Sequence, residues 1–251
     1  MKLNRGATME SYSITDVGIK RKVNQDFVYC KEEAIGCLPN LFIVADGMGG
    51  HNAGDCASKT CVTTVTEFIK NNTDLKTPVS LLEAAIKEAN HQIISEASKD
   101  EQLEGMGTTF VGMTIIDDVM YVANVGDSRL YVINKSSKQI RQVTEDHSLV
   151  EEMVKNGEVE RKNARFHPNK NIITRALGAT DDVNPDFFEV NLEDDIVLLC
   201  SDGLSNMMDD NEIMETVIDN QDNLAIAGCT LVKKANDYGG KDNISVIIVT
   251  P

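Results

Sequence analysis

Three apolar segments of this chain are each bounded by an aspartate that stands next to Gly or Asn. Asp46 ends the run LFIVAD, Asp202 follows IVLLCS, and Asp242 precedes NISVIIV. Segments this apolar fit strands inside a sheet. A single Asp-Gly after a strand is usually only a turn, because Gly accepts positive φ and Asp bonds its own backbone. Three of them together favour one site where strand ends meet.

Carboxylates gathered at adjacent strand ends need cations to neutralise them. No His or Cys cluster stands near these aspartates, so the donors are oxygens, which favour Mg²⁺ or Mn²⁺ over zinc or copper. Gly47 could add its carbonyl, because glycine lets the main chain approach an ion closely. Two ions about 3.5–4 Å apart, bridged by Asp46, would activate a water and neutralise phosphoryl oxygens. The pattern predicts a metal-dependent hydrolase of phosphate esters.

The charge balance limits the possible partners. The 251 residues include 24 Lys and Arg against 40 Asp and Glu, a net charge of -16. This charge repels nucleic acid and anionic lipid headgroups, so neither is an expected partner. It also repels a phosphate ester, so the enzyme needs bound cations or a local basic cluster. The length and the 41% hydrophobic content suit one core, and we expect a single domain over residues 1–251.

Compartment signals are absent from the sequence. No apolar export signal or membrane-spanning segment is visible, so a cytoplasmic location is expected. The six cysteines form no CxxC pair, and reduced, mostly buried thiols are expected.

Strands group with strands and helices with helices along the chain. Amphipathic helices are predicted at 57–69, 82–97, 211–219 and 223–236. Closely spaced β runs at 108–116, 119–125 and 129–134 predict an antiparallel meander. Residues 145–178 lack apolar periodicity and predict a surface excursion. The grouping favours α+β layers over alternating βαβ units.

Eight motifs follow one another from about Ser13 to the C-terminus. They are DVGIKRKVNQD (16–26), LFIVADGMGGH (41–51), MGTT (106–109), VANVGDSR (122–129), TEDHSLV (144–150), ITRALG (173–178), LLCSDGL (198–204) and GGKDNISVIIV (239–249). In order and spacing this set resembles the protein phosphatase 2C family of metal-dependent Ser/Thr phosphatases, in its compact bacterial form. The resemblance implies a four-layer α-β-β-α sandwich, in which two antiparallel sheets lie between helix pairs, with a binuclear Mn²⁺ or Mg²⁺ centre.

The resemblance also implies roles for the metal-site residues. Asp46 would bridge the two ions, Gly47 would bind one through its carbonyl, and Asp202 and Asp242 would complete the other. Asp127, in GDSR, matches the position that with Asp202 holds a third, weaker ion in bacterial members; a plain turn residue is the alternative.

Two further positions match the family around the ions. Asp26 would orient metal-bound waters from behind the ligands. Arg21 matches the arginine that binds the substrate phosphate, and its planar fork suits that task better than the neighbouring lysines.

The proton donor for the leaving group is an open question. Some family members carry a His directly after the Asp-Gly, where this chain has Met48. His51, the nearest histidine, and a metal-bound water are the two candidates. His147 lies in a family motif and His91 on a predicted helix, and neither is assigned a role.

In the family the excursion is a flap beside the active site, and we call residues 145–178 the flap. Between its positions 161 and 175 it carries five cations and no acidic residue: Arg161, Lys162, Arg165, Lys170 and Arg175. We expect these cations to attract phosphorylated protein segments. The alternative is a solvated loop that compensates nearby acids.

The predicted function is therefore dephosphorylation of phosphoserine and phosphothreonine in proteins, opposing a bacterial Ser/Thr kinase. The alternatives are a catalytically silent regulatory module of the same fold and a phosphatase of small molecules or nucleotides. The intact aspartates and Arg21 favour the enzyme.

Overall fold

The computed structural model describes residues 9–50, 53–72 and 77–251. Its strands are β1 (Glu10–Asp16), β2 (Asp26–Lys31), β3 (Leu41–Met48), β4 (Gly107–Thr108), β5 (Phe110–Ile116), β6 (Val119–Val125), β7 (Arg129–Asn134), β8 (Gln139–Gln142), β9 (Asp186–Asn191), β10 (Asp195–Cys200) and β11 (Ile244–Thr250). Its helices are α1 (Ala53–Asn71), α2 (Pro78–Ala97), α3 (Leu149–Lys155), α4 (Arg161–Ala164), α5 (Asp202–Ser205), α6 (Asp210–Asp219) and α7 (Leu224–Asp237), with a 3₁₀ turn at Glu101–Leu103.

Two antiparallel sheets form the centre of the fold. One has the strand order β1-β11-β10-β7-β8, and the other has the order β2-β3-β5-β6-β9 with β4 paired to β3. Helices α1 and α2 cover the second sheet, and α5, α6 and α7 cover the first. The predicted α+β fold, with helices flanking both sheets, is confirmed.

Alternation along the strands explains why the apolar runs are continuous. In β3, Ile43 and Ala45 face the helices, whereas Phe42 and Val44 face the other sheet. Strand β10 divides its side chains between the helices and the space between the sheets in the same way. A strand covered on both faces has to be apolar on both.

The same alternation brings polar groups into the space between the sheets at one end. Asp46 continues the inward-facing series of β3, and Asp26 of β2 is its register partner. In the other sheet, Ser201 and Ser245 continue the inward-facing series of β10 and β11, and both reach Asp26. We call this end of the sandwich the mouth.

The predicted meander is wrong at its third strand. Strands β5 and β6 form a hairpin, but β7 lies in the other sheet. The connection through Gly126, Asp127 and Ser128 carries the chain from one sheet to the other. Gly126 adopts φ 108°, and a Cβ there would lie 2.6 Å from the Thr109 side chain. This close approach of two strand ends is a non-local feature that a turn motif does not reveal.

Other expectations meet mixed outcomes. The sequence does not predict β8 or β9, because these edge strands are largely exposed or half-buried and lack a continuous apolar face.

All six cysteines are free, but only Cys61 and Cys200 are buried, so the expectation of mostly buried thiols is wrong. Among the described residues, no helix has the length and apolar character needed to cross a membrane.

Candidate metal centre

Asp26 lies at the back of the mouth and is held by two hydroxyl groups. Ser201 Oγ and Ser245 Oγ each donate to its Oδ2 over 2.7 Å. Its other oxygen, Oδ1, is buried and has no hydrogen-bond partner among the described residues. One oxygen is therefore fixed by the protein, and the other is left for a group inside the mouth.

Asp46 is placed by the backbone around it. Its N–H donates to Thr109 Oγ1 at 2.9 Å, and its carbonyl accepts from Thr109 N–H and from Thr108 Oγ1, also at 2.9 Å. Thr109 Oγ1 in turn lies 2.7 Å from Ser128 Oγ. The end of β3 is thus tied to the connection that carries Asp127.

Gly47 occupies a position with no room for a side chain. A Cβ there would lie 2.0 Å from the Gly54 carbonyl oxygen and 2.5 Å from the Gln25 carbonyl oxygen. Its N–H donates to Gln25 O at 3.0 Å. The main chain therefore lies close against its neighbours directly beside Asp46.

Asp202 starts the short helix α5 at the other side of the mouth. Asn206 Nδ2 donates to its Oδ2 at 2.8 Å, while Asp202 Oδ1 has no partner among the described residues. Lys170, from the flap, donates to Asn206 Oδ1 at 2.9 Å. The flap therefore touches a metal-site aspartate through one amide.

Asp242 pairs with Arg21 across the rim of the mouth, with Arg21 Nη2 at 2.7 Å from Asp242 Oδ2. Asn243 folds the loop that brings Arg21 there. Its amide donates to Val17 O at 2.9 Å and to Val23 O at 3.0 Å, and its Oδ1 accepts from Gln25 N–H at 2.8 Å. One buried side chain thus spans the whole loop on which Arg21 lies.

Asp127 lies between the mouth and the flap. Its side chain is buried, and its Oδ1 has no partner among the described residues. It lines a cavity of about 350 Å³ beneath the flap, together with Asp202 and the flap cations Arg161, Lys162, Arg165 and Lys170.

Burial and, after it, mutual repulsion raise the pKa values of these carboxylates. Burial, followed by repulsion from Asp202 and Asp242, raises the pKa of Asp26 to about 7. Burial and the charge of Asp242 raise the pKa of Asp202 to about 6. Burial and the neighbouring carboxylates raise the pKa of Asp46 and of Asp127 well above the ordinary value. The carboxylates share one poorly hydrated space, where a cation would be favoured.

The donor set fits hard divalent ions. Of the five buried side-chain oxygens without a partner among the described residues, three are carboxylate oxygens at the mouth, from Asp26, Asp127 and Asp202, and Mg²⁺ and Mn²⁺ accept such oxygens. In the described part of the chain, no three His, Cys, Asp or Glu side chains are already grouped so that they could hold a metal ion. Asp242 gives one oxygen to Arg21, and Asp202 gives one to Asn206. An ion that keeps several waters and uses one or two carboxylates suits such an open arrangement.

Most of the flap cations already have partners. Arg161 forms a two-fold contact with Glu151, Lys162 pairs with Glu160, Lys170 with Asn206, and Arg175 with Asp186. Arg165 is the exception among the five, because its guanidinium has no ion-pair or hydrogen-bond partner among the described residues. Arg165 is therefore the flap cation most available to a phosphorylated segment, and the expected attraction stays a prediction.

The structure thus brings together Arg21, Asp26, Asp46, Gly47, Asp127, Asp202 and Asp242 at the mouth. His51, the candidate proton donor, lies outside the described residues. Sequence reasoning missed the groups that hold the site: Asn243, Ser201, Ser245, Thr109 and Asn206. All but Asn206 lie in or directly beside the motifs, but small polar residues are too common there to signal a role.

The fold and the carboxylate-lined mouth define a metal-dependent phosphatase. The chain belongs to the protein phosphatase 2C family, whose family model matches residues 19–228. It is 43% identical over 213 residues to the serine/threonine phosphatase stp of Listeria welshimeri, covering 83% of both proteins.

Solved structures agree with this assignment. The fold is similar to that of the serine/threonine phosphatase Stp1 from Staphylococcus aureus, with a TM-score of 0.89 and 34% identity over 98% of this chain and 96% of that one. It is also similar to the catalytic domain of the serine/threonine protein phosphatase PstP in complex with two manganese ions, with a TM-score of 0.82 and 29% identity over 96% and 97% of the two chains. The chain is therefore a Ser/Thr protein phosphatase of the 2C type, and its substrates are phosphoproteins.

Proposed function

We propose that the chain hydrolyses phosphoserine and phosphothreonine in proteins at a centre of two Mn²⁺ or Mg²⁺ ions, with a third, weaker ion at Asp127 and Asp202. The observation that supports this proposal most is that buried carboxylate oxygens without partners lie at the mouth, beside Arg21. The two manganese ions in PstP support the binuclear part. Because Ser/Thr kinases make these substrates, we infer that the enzyme opposes such a kinase, as expected for a relative of bacterial phosphatases.

Asp46 and the Gly47 carbonyl would hold the ions at the end of β3, and Asp202 and Asp242 would hold them from the opposite sheet. When bound, the ions supply Lewis acidity that neutralises the phosphoryl oxygens and activates a water. The protein contributes a fixed, poorly hydrated frame, so little reorganisation is needed as charge develops.

Arg21 binds the substrate phosphate in this proposal. Its guanidinium is at the rim and half-exposed, so an incoming phosphate can reach it. A permanently charged planar fork can hold two phosphate oxygens at once. When Asp242 binds an ion, Arg21 would leave Asp242 and bind the substrate phosphate instead.

Asp26 orients water in the mouth. Its Oδ2 is fixed by two serine hydroxyls, so its Oδ1 keeps one direction and accepts a hydrogen bond from water there. The leaving-group proton comes from His51 or from water, because Met48 has no proton to give.

The test is phosphate release by metal-stripped protein from a phosphothreonine peptide across a Mn²⁺ titration. The same sequence carrying phosphotyrosine, and a nucleoside triphosphate, serve as competing substrates. We expect Mn²⁺-dependent release from the phosphothreonine peptide, weak release from the other two, and loss of release in Asp202→Asn. Equal turnover of the nucleotide would contradict the protein-substrate proposal, and no release at any metal concentration would contradict the enzyme.

A further inference from the structure

His147 is a buried histidine in which every polar atom is engaged. Its backbone N–H donates to Gly126 O at 2.9 Å, and its carbonyl accepts from Thr174 N–H at 2.8 Å. Its ring Nδ1 accepts from Gly126 N–H at 3.0 Å, and Nε2 lies 3.1 Å from Asp186 Oδ2. The His147 side chain is 4% exposed, whereas its partner Asp186 is 37% exposed, so the contact with Gly126 is the better shielded of the two.

The contacts fix the protonation of the ring. Because Nδ1 accepts an amide N–H, the proton of the neutral imidazole is on Nε2 and points at Asp186. Arg175 Nη1 donates to the other oxygen of Asp186 at 2.8 Å and also lies 3.2 Å from His147 Nε2. Burial lowers the pKa of His147, which agrees with a neutral ring. The imidazole is therefore a fixed bridge between Gly126 and β9.

Gly126 is held at both its N–H and its carbonyl by His147. Its φ of 108° and its contact with Thr109 leave it little freedom. The next residue is Asp127, whose buried Oδ1 has no partner in the described structure. The direction of that carboxylate therefore depends on how His147 holds the preceding peptide.

His147 also lies where the two ends of the flap meet, at residues 147–148 and 173–174, which we call the neck. The hydrogen bond from Thr174 to His147 and the bridge between Ser148 and Ile173 join the two ends of the flap. His147 thus contacts the flap with its backbone and the Asp127 connection with its ring.

We propose that His147 is a positioning residue that aims Asp127 at its ion and couples that ion to the flap. This inference rests on the proposed third ion at Asp127 and Asp202. The two ring nitrogens make separable predictions, because Nδ1 is the ring nitrogen that bonds Gly126, while the backbone bond from His147 to Gly126 O does not depend on the side chain. Nε2 supports the ring from the other side.

Two substitutions at position 147 separate the roles of the two ring nitrogens. In His147→Asn the amide oxygen can take the place of Nδ1 and keep the Gly126 N–H bonded. In His147→Gln the longer amide can take the place of Nε2, but the Gly126 N–H loses its acceptor. Manganese is titrated by calorimetry into metal-stripped protein. We expect His147→Gln to raise the Kd of the weaker ion about tenfold or more, because a buried amide is left without an acceptor. The Kd in His147→Asn should stay within about threefold of the wild-type value.

Hydrogen exchange of flap amides 148–173 gives a second readout, which is independent of turnover. Manganese should slow this exchange in the wild type and in His147→Asn, but not in His147→Gln. If His147→Gln does not fold when metal-free, Asp186→Ala takes its place, because it removes the acceptor at Nε2. Asp186→Ala should weaken binding of the weaker ion, whereas Asp186→Asn, which keeps an acceptor there, should not.

The outcomes are distinguishable. Absence of a weaker ion in the wild type would contradict the proposed third ion. If that ion binds with the same affinity in His147→Gln as in the wild type, the positioning role is wrong. It is also wrong if His147→Asn and Asp186→Asn both lose the ion.

Discussion

Arg21 Nη2 lies 2.7 Å from Asp242 Oδ2, so the cation at the rim is paired with a proposed metal ligand. Their side chains are 47% and 34% exposed, and pairs this exposed contribute about 0–1 kcal/mol. The pairing can therefore be exchanged at small cost. An ion bound by Asp242 would free Arg21 for phosphate at the moment when the site becomes competent, which links metal loading to substrate binding.

Replacing Arg21 with Ala should raise KM for a phosphothreonine peptide. Loss of a charge-assisted hydrogen bond costs about 1.5–3 kcal/mol, or about 10- to 150-fold in kcat/KM. Lys20→Ala is the matched control, because it removes a neighbouring exposed cation. Equal effects in steady-state assays of the two variants would mean that Arg21 acts only through its general charge.

Replacing Asp46 with Asn should have opposite effects on stability and activity. One fewer negative charge relieves repulsion among buried carboxylates, so the metal-free protein should melt about 2–4 °C higher. Activity should fall about 10³-fold or more, because the ions lose their bridging ligand. Thermal melts without Mn²⁺ measure the gain in stability of the metal-free protein. Melts with Mn²⁺ measure how much stabilisation by the metal is lost. A metal-free variant that melts lower than wild type would contradict the repulsion.

The stability of the metal-free protein should fall as pH rises. Burial, followed by the charges of Asp202 and Asp242, raises the pKa of Asp26 from 3.8 to about 7 in the folded protein. The folded state therefore binds more protons between these values, and stability is lost as pH rises through the folded pKa. Melting temperatures from pH 5 to pH 8 should drop, and the drop should be smaller in Asp26→Asn. A wild-type curve that coincides with the variant curve would show that Asp26 titrates normally.

Arg165 should determine how the flap attracts substrate. Its guanidinium has no partner in the described structure, whereas Lys162 pairs with Glu160. Arg165→Glu should raise KM for an acidic phosphopeptide more than Lys162→Glu does, and reduce the salt dependence of kcat/KM. If the two reversals have the same effect, only the net field of the flap matters.

A meeting of Asp46, Asp202 and Asp242 could be predicted from sequence, because each stands at one end of an apolar strand. The sequence did not show that β3 lies in one sheet and β10 and β11 in the other. Helices α1 and α2 could be predicted as well, since their apolar faces repeat with helical spacing. The crossing of β7 into the other sheet could not, because it depends on how Gly126 packs against Thr109. Nor could the role of Asn243, whose three hydrogen bonds join segments more than 200 residues apart in sequence.

The site's supporting groups share one reason for escaping prediction. Ser201 and Ser245 are ordinary small polar residues, and only their inward direction at the mouth makes them donors to Asp26. His147 stands in a motif without a signal for its role, because that role lies in holding Gly126 rather than in reaching substrate.

Anomalous diffraction at the manganese edge from Mn²⁺-soaked crystals tests the central claim most directly. We expect two strong peaks about 3.5–4 Å apart on either side of the Asp46 carboxylate, with Asp202 and Asp242 against one of them. A weaker third peak is expected at Asp127. A single peak, or peaks remote from Asp46, would contradict the binuclear centre.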